Sequence, residues 1–391
     1  MSADYWCSSQ RNQWQLTRFS LLEARRKVLL LERKMIQNGL IKDYPNIVYD
    51  YNMRIYLHNL LLKLGRRLNV RQVAVATAEI YLTRFLTRNS LKEINVYLFI
   101  TTCLYVSCKI EECPQHIRFI LSEARNIWPE YIPHDVTKLA EFEFYLIEEM
   151  DSYLLLHHPY KSLIQLRNYL DSKFDVYGFK LTDEEMQNSW SLINDSYVTD
   201  LHLLVPPHII AVAAIYITIV LKKNLAQTRN KNTPNGNASK PPETRSSEID
   251  VALGNSRSES GNVNGNFSRG DGAYTGGEMG LESKEMNIVE LMNLPQTKQS
   301  SESKNASQQL QSTQQQSQKT KESDLINFDL DIVDEDTIKI HKFMNFLEHS
   351  HINLDEVVEA VQDMINAYVL WNRYNEQGVK KALQSMLLRR Q

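Results

Sequence analysis

From about Glu93 to Ile110 the chain reads EINVYLFITTCLYVSCKI, and nearly every side chain in it is apolar whichever helix face is taken. A helix with one apolar stripe can lie on a surface, but one that is apolar all round has to be surrounded by other elements. Exposing it would forfeit about 1.5–3 kcal/mol for each large side chain. The segment therefore predicts the central helix of a bundle, stopped by Pro114, since a proline disfavours helix at the residue before it. The preceding segment, RQVAVATAEIYLTRFL, sets Ala74, Ala76 and Ala78 among Val, Ile and Leu, small residues that let two helices approach closely.

Glycine usage shows how the rest is organised. Only Gly39, Gly65 and Gly178 occur in the first 222 residues, whereas nine glycines fall between Gly236 and Gly280. Glycine-poor sequence suits long helices and short turns. From 224 to 323 the composition shifts to Ser, Asn, Gln, Gly and Lys, with Phe267 and Tyr274 its only aromatics, and is expected to be a disordered insertion. Its one apolar island carries Met286, Val289 and Met292, and its one Ser/Thr-Pro dipeptide is Thr233-Pro234. Helical periodicity resumes in IKIHKFMNFL and LDEVVEAVQDMINAYVLWNRY, so the stretch interrupts a domain. An internal repeat is visible: TTCLYVSCK aligns with VAAIYITIV, each a buried helix following a more amphipathic one.

Several function classes are disfavoured. The formal charge of −3 gives no basic field for nucleic acid. The N-terminus lacks a secretory pattern, and the apolar run from Ile209 to Leu221 is short of the ~20 residues needed to span a membrane, which makes it a buried core helix. Four cysteines, Cys7, Cys103, Cys108 and Cys113, are too few for a disulfide framework and fit reduced thiols. No phosphate-binding glycine loop, zinc-protease motif or nucleophile elbow is present. Adjacent His157 and His158 on one segment do not make a metal site, and no cofactor is expected.

Against this background the end of the buried helix stands out. In the repeat Lys109 lies opposite Val220, so the lysine answers to something only the first half does. Val106, Lys109 and Ile110 share a helix face at i, i+3 and i+4, and Glu141 and Tyr145 lie four apart on a later helix. A few charges among apolar groups suit an interface that grips another chain's backbone.

These residues resemble the cyclin family, and within it the C-type cyclins, regulatory subunits of the Mediator-associated kinase of RNA polymerase II. SCKIEE is similar to the family's lysine-glutamate signature, and YWCSSQRNQW, EFYLIEEMDSYLLLHHPY and INDSYVTDLHLLVPPHIIAVAAIY are long matching strings. The resemblance implies an all-α fold of two tandem five-helix cyclin boxes at 45–150 and 158–375, the second interrupted by 224–323. An N-terminal segment 1–44 would hold an extra helix around Leu16 to Ile36, and 376–391 would be a tail. It also implies a nuclear, non-catalytic subunit that activates a cyclin-dependent kinase alongside other Mediator kinase-module subunits, regulating transcription positively or negatively. The partner kinase would then phosphorylate the polymerase C-terminal domain. Lys109, Glu141, Val106, Ile110, Tyr145 and Glu112 would contact the kinase. Trp6 and Trp14 would either pack the N-terminal segment onto the first box or touch the kinase.

The sequence also departs from the cell-cycle members. Leu60 and Asn59 replace a tryptophan and an aspartate of their substrate-recruiting groove, and Thr83 replaces the aspartate that pairs with the arginine matched by Arg54, so that internal salt bridge is expected to be absent. A different class, an initiation-factor-like protein of the same architecture bridging polymerase and promoter DNA, would want basic helix faces and an N-terminal zinc ribbon. The sequence has neither.

Overall fold

The computed structural model describes residues 4–231 and 334–388. These residues form fifteen α-helices and two 3-10 turns, with no strand among them. After a 3-10 turn at Tyr5–Cys7 come α1 (Ser9–Gln13) and α2 (Arg18–Gln37). The first bundle comprises α3 (Tyr51–Arg67), α4 (Gln72–Phe85), α5 (Val96–Ile110), α6 (Ile117–Ile127) and α7 (Val136–Glu149), with a 3-10 turn at Leu91–Glu93. The second contains α8 (Pro159–Ser172), α9 (Phe174–Tyr177), α10 (Asp183–Ser196), α11 (Leu201–Leu204), α12 (Pro207–Lys231), α13 (Glu335–Glu348) and α14 (Leu354–Trp371); α15 (Glu376–Leu388) ends the described chain.

Local chemistry sets the helix starts. Asp50 accepts from the Met53 amide at 2.9 Å to begin α3, and Asn95 accepts from the Tyr97 and Leu98 amides to begin α5. Thr182 and Glu185 form a reciprocal capping box at α10, and Pro159 occupies the first turn of α8. As expected, α5 lies in the middle: twelve of its fifteen residues are buried. The repeat-related α12 takes the same place in the second bundle, with Ile209 to Ile215 almost wholly inaccessible. Between them, α4 serves two cores. Ala74 and Ala78 face the first, while Ala76 and Ile80 face the second. On α3, a Cβ at Gly65 would meet the stiff Val75 side chain at 2.9 Å, so the glycine permits the α3–α4 approach.

The extra N-terminal helix is present, and it is held chiefly by charge. Leu21 is its only buried residue. Pins recur every seven residues, on one face: Arg18 reaches Glu359 and Asp363 of α14, Arg25 grips Asp200 at 2.7 and 2.9 Å, and Glu32 takes Lys92 at 2.6 Å and the Ser90 hydroxyl at 2.7 Å. Thus α2 ties the first bundle to the second.

Two expectations about chain organisation change. Most of 224–323 lies outside the described residues, as do the island at Met286, Val289 and Met292 and the Thr233-Pro234 dipeptide, but 224–231 continue α12. The segment expected to be a tail from 376 is instead a helix whose Leu383, Met386 and Leu387 join the first core. The two rims of the insertion meet at one carboxylate: Glu185 binds Lys339 of α13 at 2.5 Å and Lys222 of α12 at 3.3 Å. Burial opposes its charge, but the Lys339 bond and the Thr182 amide prevail and hold it below the usual carboxylate range.

Candidate functional site

The last turn of α5 is where the buried helix reaches solvent. Tyr105, Lys109 and Ile110 are its only residues not fully buried. The Lys109 ammonium sits over the Tyr105 ring, 4.8 Å from its centroid, and donates to Oε1 of Glu143 on α7. Glu143 belongs to the inward stripe Leu139, Glu143, Leu146 and Met150, spaced 4, 3 and 4, so a carboxylate occupies a position where an apolar side chain would pack. Such a group needs a partner to offset its desolvation, and Lys109 supplies it. The pair is asymmetric: the glutamate side chain is 12% exposed and the lysine 41%. One ammonium proton is committed to Glu143, which leaves two further donors on a side chain that is still partly open to solvent.

The structure rearranges the expected set. Lys109 takes Glu143, whereas Glu141 is solvated and takes Lys138 at 2.9 Å, three residues away on its own helix. At about 100° per residue, Glu141 and Glu143 point to nearly opposite sides of α7. Val106, expected on the contact face, is 1% exposed and belongs to the core, because it lies a turn deeper in a helix that emerges only at its end. Ile110 is half-buried against the first core. Tyr145 is half-buried, its hydroxyl donating to Oδ1 of Asn89 at 2.9 Å and its ring edge-on to Phe85 and Phe142. Glu112 is exposed in a left-handed conformation, φ +53°, in the turn after α5. On the helices flanking α5, Phe119 and Phe144 are exposed, Phe144 by 74%. Trp14 is buried beneath the guanidinium groups of Arg84 and Arg88, while Trp6 is 56% exposed.

Sequence reasoning overlooked Glu143, Tyr105 and Glu111. An acidic residue on the apolar stripe of α7, and an aromatic four residues before the lysine, were the available signals. Glu111 connects the lysine turn to the second bundle. Thr77 donates to its carboxylate at 2.6 Å, accepts from Nε2 of His158 at 2.7 Å, and leaves Nδ1 of His158 to accept from the Tyr197 hydroxyl at 2.9 Å. That donor order follows from the terminal carboxylate, which can only accept. Burial, then His157 and Arg84, push His158 down to about 3, so the ring in this relay is neutral. Burial also raises Glu111, against Thr77 and Arg71.

Residues 25–154 match the family model for the cyclin N-terminal domain. The whole chain is 65% identical to the RNA polymerase II holoenzyme cyclin-like subunit of Candida albicans, over the full length of both, and 66% identical to that of Scheffersomyces stipitis. The chain belongs to the cyclin family. This cyclin is also 46% identical to the Saccharomyces cerevisiae subunit of the same description, over 66% of this chain and 86% of that one. Among solved structures it is similar to a chain of the CAK complex from Chaetomium thermophilum bound to ATP-gamma-S, with 19% identity, a TM-score of 0.46, and coverage of 58% of this chain and 74% of that one.

The salt bridge expected to be missing between position 83 and Arg54 is indeed missing in this cyclin. Thr83 does not pair with Arg54; its hydroxyl turns back to the Glu79 carbonyl at 3.0 Å. Arg54 still has an internal salt bridge, with Asp200 of the second bundle, which Arg25 also grips. The rings of Tyr49 and Tyr51 lie 5.3 and 5.5 Å from the Arg54 guanidinium. Burial would raise Asp200, but Arg54 and Arg25 outweigh it and hold the carboxyl below its ordinary value.

Proposed function

We propose that this cyclin is the non-catalytic regulatory subunit of a Mediator-associated cyclin-dependent kinase, acting in the nucleus with other kinase-module subunits to regulate RNA polymerase II transcription, positively or negatively. The observation that carries the reading is the half-exposed ammonium of Lys109, fixed by Glu143 and Tyr105 on a surface bordered by Ile110, Glu112 and Tyr145. Its relatives' description as polymerase holoenzyme cyclin-like subunits supports it. A protein kinase needs its strand lysine paired with a glutamate of its C helix before phosphoryl transfer proceeds. Docking against that helix, with Lys109 donating to its backbone carbonyls, stabilises the inward position and shifts the kinase toward its active state. Glu141, on the solvated side of α7, belongs to the rim, where an ion pair contributes little. Phosphorylation of the polymerase C-terminal domain is then the partner's chemistry.

The test is reconstitution of the full chain with the purified kinase subunit, reading complex formation by gel filtration and phosphorylation of a polymerase C-terminal-domain peptide. A stable complex whose activity depends on this chain is expected. A kinase equally active alone, or one that does not co-elute, would overturn the proposal.

A further inference from the structure

The turn that presents Lys109 also holds two thiols. Helix α5 ends at Ile110 with Glu111 as its cap; Glu112 follows in the left-handed region at φ +53°, and the Cys113 amide donates back to the Cys108 carbonyl at 2.9 Å. This is the six-to-one bond of a Schellman ending, a geometry that brings the side chains two residues past the cap and three residues before it into contact. An apolar pair usually meets there; here both residues are cysteines. Both are free thiols, placed next to each other by that backbone bond. Cys108 is buried and Cys113 half-buried, so one of the two is reachable from solvent.

We propose that Cys108 and Cys113 are a reversible oxidation site, closed to a disulfide by a hydroperoxide. Burial, and then Cys113, push the Cys108 thiol up to about 12, which assigns the first step to Cys113. Cys113 loses its proton, and the thiolate attacks the outer peroxide oxygen. The O–O bond breaks, the departing alkoxide takes up the proton and leaves as alcohol, and Cys113 becomes a sulfenic acid. The Cys108 sulfur then attacks the Cys113 sulfur. The S–O bond breaks, and hydroxide leaves as water with the proton given up by Cys108. The cysteine pair is oxidised by two electrons, and the peroxide is reduced to alcohol and water. The existing backbone bond already sets the two residues facing, so closure needs no unwinding of α5. Lys109 lies between the two cysteines, and the crosslink would fix the turn that aims it. Cys103, fully buried five residues upstream, is out of reach of peroxide.

The test uses the full-length chain carrying Cys7→Ser, which removes the exposed competitor. It is treated with tert-butyl hydroperoxide and examined by intact mass and peptide mapping. Expected are a loss of two hydrogens per chain, a crosslinked peptide joining residues 108 and 113, and full reversal by dithiothreitol. Cys113→Ser should abolish the change. Cys108→Ser should stop at a Cys113 sulfenic acid trapped by dimedone. Accumulation of Cys113 sulfinic acid with Cys108 still present, or crosslinks only between chains, would overturn the proposal, as would a chain that stays fully reduced while remaining folded by circular dichroism.

Discussion

The proposed function gives Lys109 and Glu143 separable roles in stability and in binding, and paired substitutions should reveal both. In Lys109→Ala the Glu143 carboxylate, whose side chain is 12% exposed, loses its counter-charge. An unpaired buried polar group costs about 1–3 kcal/mol, and the low end applies because water can enter where a side chain 41% exposed has been removed. A loss of about 1 kcal/mol is therefore expected in urea denaturation. Adding Glu143→Leu completes the stripe of Leu139, Leu146 and Met150, and replacing both charges by apolar groups is often neutral or stabilising. The double variant should recover wild-type stability. It should not recover kinase binding: one lost charge-assisted hydrogen bond is worth about 1.5 kcal/mol or more, roughly a tenfold weaker Kd by calorimetric titration with the kinase subunit. Glu141→Ala should leave both quantities within about twofold, as an exposed surface change does. A double variant that binds the kinase like wild type, or a Glu141→Ala chain that loses binding as Lys109→Ala does, would exclude this division of roles.

Asp200→Asn should loosen the junction of α2, α3 and the second bundle. Because the Asp200 carboxyl is held below its ordinary value, its contribution is present above the unfolded pKa of about 3.9 and fades as pH falls through the lower folded value, so the gap between wild type and variant in acid denaturation should narrow below about pH 4. Glu185→Gln leaves Lys339 and Lys222 without their carboxylate; because both lysines reach solvent, about 1 kcal/mol of destabilisation is expected, with limited proteolysis cutting first within Glu335–Glu348. His158 should show no titration between pH 5 and 8 by nuclear magnetic resonance. Between about pH 3 and the unfolded value of about 6.5, the unfolded chain takes a proton that the native ring refuses, so stability should rise with pH across that window.

The central helix, the alanine-lined approach of α4 and the emergence of α5 at Lys109 were legible because each rests on local pattern. The partner carboxylate was not. Glu141 and Glu143 lie two apart on one helix, and choosing between them requires knowing which face of α7 meets α5. The Arg54–Asp200 bridge joins residues 146 apart and has no spacing to read. Helix α15 did carry a signal, since Val379, Leu383, Met386 and Leu387 recur at i, i+4, i+7 and i+8, but a short stretch with lysines and glutamines at its surface resembles a tail. The start of the insertion was placed by composition at 224, whereas helix formers such as Leu225 and Ala226 carry α12 on to Lys231.

The convergence of Lys222 and Lys339 on Glu185 gives the interrupted bundle a common doorway for the outgoing and returning chain. The two flanking helices, α12 and α13, are thus tied to each other through described residues alone. Joining residue 231 to 334 then carries an entropic cost that grows only with the logarithm of the number of residues between them, so changes in that number should leave the α12–α13 tie in place.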